Sequence, residues 1–219
     1  MVTLALLHTS PVHVPVFDAL RDAHHPGLAL AHHVHEDLLA RARARGPEAV
    51  ADDVQAALES AVAAGAGAVL CTCSTLGGVA ESRAAAVGVP VLRVDRPMAA
   101  AAVGAGAAVA VVAAVPSTLE PTLALLDEEA GRPLDPRTVV VDGAWERFEA
   151  GDRQGYLRLV ARAVERVAPG ADAVVLAQAS MADAAGLAEV SVPVLASPRT
   201  GLAAAAGLCG EGDARTPTG

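Results

Sequence analysis

Aromatic side chains are almost missing from this chain: one Trp, one Tyr and two Phe in 219 residues. That scarcity leaves almost no stacking platform for bases. A net charge of −9 removes the basic footprint that nucleic acid or an anionic membrane surface requires. Cysteine is scarce as well. Three thiols in an acidic, Ala-rich chain without a leader-like segment lead us to expect a reducing, cytoplasmic setting and no disulfide framework. Long apolar runs are lacking, with one apparent exception. Residues 97–119 carry no charge, nominally enough to cross a bilayer, but Ala and Gly dominate, Gly104 and Gly106 interrupt, and Pro116-Ser117 end the run in turn chemistry. The segment reads as a short helix, a glycine turn and a buried strand, so no membrane partner is expected. Histidine is absent from the whole second half, since all seven lie within residues 8–35.

What is present is small and apolar: 53% of residues are hydrophobic, mostly Ala, Val and Leu, enough to bury a sizeable core. Short β-branched runs alternate with amphipathic stretches, the pattern of a parallel sheet with crossover helices. Strands are predicted at 2–8, 28–34, 68–71, 91–94, 108–113, 138–141, 173–176 and 194–196. The clearest helices are predicted at 47–64, 117–130 and 154–167, opened by caps or an early Pro.

The chain also reads as one unit written twice. Val89-Pro90-Val91-Leu92 recurs as Val192-Pro193-Val194-Leu195, each followed by an Arg/Pro pair and an Ala-rich helix. The expected fold is therefore α/β, two similar parallel-sheet lobes related by pseudo-twofold symmetry with a ligand cleft between them. Residues 1–97 with 198–209 form the first lobe, 98–197 the second, and 210–219 a disordered tail. Matching Val69-Leu70 with Val175-Leu176 places Ala179 opposite Cys73 and Ser180 opposite Ser74.

Cys73 stands where the third strand stops and Leu76-Gly77-Gly78 opens the next helix. A helix N-terminus favours negative charge, so a thiol placed there is expected below its free value of roughly 8.5. Ser74 and Thr75 add hydroxyl donors to the same turn. Ser10, Ser117, Thr118 and Ser180 lie in turns at the carboxyl ends of other strands, where open parallel sheets bind ligands, and N-capping is their competing role. Cys71 is expected in the core, and Cys209, at the edge of the tail, is assigned no role. His8 ends the first strand and is a candidate second proton carrier or a scaffold residue. His32, His33 and His35 match no metal spacing and read as a solvated strand end, so no metal is expected. Trp145 and Phe148 are expected to pack.

The Cys73-Ser74-Thr75 turn, the Thr9-Ser10-Pro11 turn and the Pro116-Ser117-Thr118 turn together resemble the aspartate/glutamate/hydantoin racemase superfamily, which includes arylmalonate decarboxylase and maleate isomerase. The resemblance covers about residues 1–208. It implies a small carboxylate-bearing substrate, proton or carboxylate chemistry at the carbon next to the carboxyl group, and no cofactor. Family racemases use one cysteine from each half. With Ala179 at the second position, single-thiol chemistry through Cys73 is expected: racemisation, decarboxylation of a malonate-type acid or cis–trans isomerisation. A non-catalytic carboxylate binder is the other class. A homodimer is compatible with the resemblance, and the sequence does not fix it.

Overall fold

The computed structural model describes residues 2–211 and divides them into two compact units, residues up to Asp95 with those from Pro198, and Arg96–Ser197. In the first unit β1 (Thr3–His8), α1 (Val14–His24), β2 (Ala29–Val34), α2 (Glu36–Arg45), α3 (Ala51–Ala63), β3 (Ala66–Cys71), α4 (Ser74–Ser82), α5 (Ala84–Val87) and β4 (Val91–Arg93) follow one another. The second unit repeats the plan with α6 (Arg96–Ala105), β5 (Val109–Ala113), α7 (Leu119–Ala130), β6 (Arg137–Val140), α8 (Ala144–Glu149), α9 (Arg153–Val167), β7 (Ala173–Leu176) and β8 (Val194–Ala196). The last helix, α10 (Ser197–Glu211), packs in the first unit.

All strands pair in parallel, in the orders β2-β1-β3-β4 and β6-β5-β7-β8. The expected α/β fold with two similar parallel sheets is thus present, and each predicted strand is found with its ends moved by no more than two residues. Alternation within strands explains why both faces of each sheet are covered. In β1, Leu4 and Leu6 join Phe17 of α1 and Leu202 of α10, while Ala5 and Leu7 join Val54 and Leu58 of α3. In β5, Ala110 and Val112 meet Val160 and Val164 of α9, and Val109 and Val111 meet Met98 of α6 and Leu125 of α7.

The uncharged run around residues 97–119 resolves as read: α6, then Gly106 at φ +157°, then β5. The Asp172 carboxylate accepts the Ala108 N–H there at 2.9 Å and lies where a side chain at Gly106 would fall. Among the described residues no helix is long and apolar enough to cross a membrane. The helix α10 continues to Glu211, so Cys209 is a buried neighbour of Leu6 and Phe17. The rest of the expected tail lies outside the described residues.

Candidate active site

The functional side chains of the first unit gather where its strands end. Strand β3 stops at Cys71, and Cys73 becomes the N-cap of α4 with φ −102° and ψ 114°; its carbonyl accepts the Leu76 N–H at 3.1 Å. The Cys73 side chain is 8% exposed, and Ser74 and Thr75, the first residues of α4, are about as buried. Cys71 points into the core between sheet and α3. Its thiol lies 3.7 Å from the Cys73 carbonyl, and burial, with the Cys73 sulfur second, pushes its pKa far above the ordinary thiol value. Cys71 is therefore a poor candidate for ionisation.

Arg93 at the end of β4 and Asp95 two residues beyond it buttress this turn. Arg93 pairs in register with Cys71, and its guanidinium donates two hydrogen bonds to Asp95, at 2.7 and 3.0 Å, with both side chains buried. Its Cβ lies only 2.9 Å from where a Cβ on Gly77 would stand. The absence of a side chain at Gly77 lets α4 start this close to β4.

A second group lies on the α1 side, built on the expected candidate His8 with partners, His32 and Asp18, that the sequence reading missed. His8 is fully buried, and both ring nitrogens are engaged. Nδ1 is 2.8 Å from Thr72 Oγ1, and Nε2 is 2.8 Å from His32 Nδ1. His32 Nε2 in turn lies 3.3 Å from Asp18 Oδ1. Burial, followed by the neighbouring His32, His13 and His33, lowers the His8 pKa from 6.5 to about 3. His32 is thus a half-buried member of a hydrogen-bonded chain rather than part of a solvated strand end. The available signal was alternation: Leu6 and His8 share one face of β1, and His32 pairs with Leu6 on the neighbouring strand. Ser10 sits in the turn after β1, extended, with its carbonyl accepting the His13 N–H.

The second unit carries different chemistry at the equivalent places. Its turn after β5 leaves Ser117 exposed and Thr118 buried, the Thr118 hydroxyl donating to the Val115 carbonyl at 2.9 Å. Neither Ser10 nor Thr118 makes a side-chain cap. Ser180 is hydrogen-bonded to the Tyr156 hydroxyl at 2.8 Å, and burial raises the Tyr156 pKa to about 12. Trp145 and Phe148 stack at 5.0 Å and pack on Tyr156, as expected of a packing cluster.

The structure corrects the match between the halves by one residue. Val69 donates its N–H to the Pro90 carbonyl and Val174 donates to the Pro193 carbonyl, both at 2.9 Å, so Val69 corresponds to Val174 rather than Val175. Core faces agree: Val69 and Cys71 pack on α3, and Val174 and Leu176 pack on α9. A slip of one would exchange the faces. The residue matching Cys73 is therefore Gln178, not Ala179, and Ala179 matches Ser74. Both Cys73 and Gln178 are extended N-cap residues. The Gln178 Oε1 accepts the Ala114 N–H at 2.6 Å, which fixes the amide and leaves Nε2 as its donor end. The second unit has no thiol at this position under either match.

Among the described residues no cluster of His, Cys, Asp or Glu is arranged to hold a metal ion.

The fold is shared with proteins of known structure. A glutamate racemase from Thermus thermophilus is 21% identical with a TM-score of 0.71, over 100% of this chain and 84% of that one. An aspartate racemase homologue from Pyrococcus horikoshii is 15% identical with a TM-score of 0.67, over 96% and 100%. A mutant arylmalonate decarboxylase in its liganded form is 22% identical with a TM-score of 0.67, over 97% and 94%. At these identities the likeness establishes the fold alone. No curated protein matches the chain. The family model described as Asp/Glu/hydantoin racemase matches residues 13–205, nearly the whole chain. This protein belongs to the Asp/Glu/hydantoin racemase family.

Proposed function

We propose that the protein is a cofactor-independent enzyme that moves a proton at the carbon next to a carboxylate, with Cys73 as its acid/base. The observation that carries this reading is the asymmetry of the twin strand ends. Cys73 caps α4 in the first unit, and Gln178 occupies the matching position in the second. Removing such a proton concentrates negative charge on the carboxylate oxygens. The enzyme must therefore offer a base at short range and fixed donors nearby. The first-turn N–H groups of α4 and the hydroxyls of Ser74, Thr75 and Ser10 are assigned as those donors. The second unit carries Gln178 in place of a second thiol, so the two-cysteine mechanism is not available.

The test is exchange in deuterated buffer with aspartate, glutamate, a hydantoin and an arylmalonate. Deuterium enters at the α-carbon of at least one, and Cys73→Ala lowers the rate by about 100-fold or more. Unchanged exchange in Cys73→Ala, or no exchange and no carbon dioxide from any of the four, removes the proposal. Decarboxylation is the second reading. One thiol suffices to return a proton to one face, and the likeness to arylmalonate decarboxylase favours it. Release of carbon dioxide from the arylmalonate, with a single enantiomer formed, identifies it.

A further inference from the structure

The carboxyl end of β7 carries an amide that the acid/base reading leaves unused. Gln178 is 9% exposed and caps the 3-10 helix Ala179–Gly186 from an extended backbone. Only one orientation of the amide suits its surroundings. The Ala114 N–H at 2.6 Å needs an acceptor, so the oxygen faces it and Nε2 holds both hydrogens elsewhere. Among the described residues Nε2 meets no acceptor. It is not sealed in either, because the one enclosed side-chain N or O without a partner among those residues is Arg83 Nε.

Ser180, two residues on, is fixed in the same sense. The Tyr156 phenol is buried, and the Ser180 hydroxyl at 2.8 Å is its partner. Burial raises the Tyr156 pKa to about 12, so the phenol keeps its hydrogen and directs it at Ser180 Oγ. Ser180 then has its own hydrogen left to give. The first hydrogen bond of the helix runs from the Met181 N–H to the Gln178 carbonyl at 3.0 Å, so the Ala179 and Ser180 N–H groups open the helix without a helical acceptor. Thr118 adds no donor, since its hydroxyl proton goes to the Val115 carbonyl. Asp183, on the same helix, is paired with Arg153.

The strand end therefore presents neutral donors whose accepting sides are already spent, and the group that fits them is one that accepts through adjacent oxygens. We propose that Gln178 is a specificity-determining residue that, with Ser180, holds a carboxylate group of the substrate at the end of β7. The position that matches the thiol of the first unit then binds and transfers no proton, since an amide does not titrate. This deepens the reading of the protein as an enzyme of small carboxylates and rests on it.

The chain has no asparagine and three glutamines, Gln55 on α3, Gln154 on α9 and Gln178, so its side-chain amide spectrum holds three pairs of signals. Nitrogen–proton NMR of the full chain thus reads Gln178 directly. Malonate and phenylmalonate are the probes, with inorganic phosphate for comparison. At millimolar concentration each dicarboxylate shifts the Gln178 pair saturably and leaves the Gln55 and Gln154 pairs in place, and phosphate moves none. By calorimetry Gln178→Glu weakens malonate by about 100-fold or more, because an acceptor and a like charge replace the donor. Its carboxylate still accepts the Ala114 N–H, and a cooperative melt confirms the fold. Ser180→Ala, made with Tyr156→Phe so that no buried phenol loses its acceptor, weakens malonate by about tenfold. A Gln178 pair that neither dicarboxylate moves, an equal response to phosphate, or full malonate affinity in Gln178→Glu overturns the proposal. The readout needs neither turnover nor the thiol. Saturable binding without isotope exchange removes the acid/base role of Cys73 and upholds the carboxylate subsite, whereas exchange with an unmoved Gln178 pair does the opposite.

Discussion

Two adjacent glycines in α4 respond to alanine with opposite signs. At Gly77 a new methyl stands 2.9 Å from Arg93 Cβ and 3.1 Å from its Nε. The Cβ contact is with the root of a side chain anchored in β4, not with a flexible tip, so the helix or the strand must move. Overpacking of this kind costs about 1–3 kcal/mol, against a gain of about 0.5–1 kcal/mol from replacing glycine inside a helix. The net loss is up to about 2.5 kcal/mol. At Gly78 the nearest atom is Arg93 Nη1 at 3.5 Å, an ordinary contact, and the position is exposed. Gly78→Ala therefore keeps the helical gain and stabilises by about 0.5–1 kcal/mol. Urea unfolding followed by far-ultraviolet circular dichroism separates the pair by about 1–3 kcal/mol. At about 2–4 °C per kcal/mol, that amounts to several degrees in Tm. Exchange activity falls in Gly77→Ala, because the shift reaches the turn holding Cys73, and is retained in Gly78→Ala. Equal stabilisation by both substitutions would refute the close approach of Arg93 to α4.

Other outcomes follow from the same unit. Asp95→Asn removes the carboxylate that accepts two hydrogen bonds from the buried Arg93 guanidinium and costs about 3 kcal/mol, whereas Arg93→Met with Asp95→Asn recovers part of that loss; urea midpoints of the single and double variants check it. His8 takes up a proton near 6.5 when unfolded and only near 3 when folded. The unfolded chain therefore binds the extra proton between those values, and stability contributed by His8 is full above about pH 6.5 and lost as pH falls toward 3. The slope is about 1.4 kcal/mol per pH unit inside the window, and His13, lowered by burial, adds in the same direction. His8→Gln flattens the difference between urea midpoints at pH 7.5 and 5.5. Cys71 resists alkylation in the folded protein even at high pH, and mass spectrometry finds it labelled only after denaturant is added.

The strands were legible because short, continuous apolar runs rich in β-branched residues alternate with amphipathic stretches, and Val91 and Val194 come from a repeated tetrapeptide that marks the duplication. The match between the halves failed where its evidence was thinnest. Val69-Leu70 and Val175-Leu176 are identical pairs but occupy opposite faces of their sheets, and the slip shows only in the structure, in the hydrogen bonds to Pro90 and Pro193 and in the core faces. Cys73 was placed at a helix start because a strand, a polar turn and a Gly-rich opening leave little alternative. Alternation puts His8 on one face of β1, but the His8–His32 contact also needs the neighbour order β2-β1 and the side-chain rotamers, neither of which is written locally. Asp18 lies ten residues beyond the end of β1, and its contact with His32 emerges only once α1 packs on that face.

The aromatic cluster of the second unit has a practical consequence. Trp145 and Tyr156, the chain's sole tryptophan and tyrosine, stand within one core, while the first unit's aromatic complement is Phe17. Intrinsic fluorescence therefore watches only half of the molecule. A melt recorded at tryptophan emission leaves the thiol-bearing half unseen, and disagreement with an amide-absorption signal would expose independent melting of the two halves.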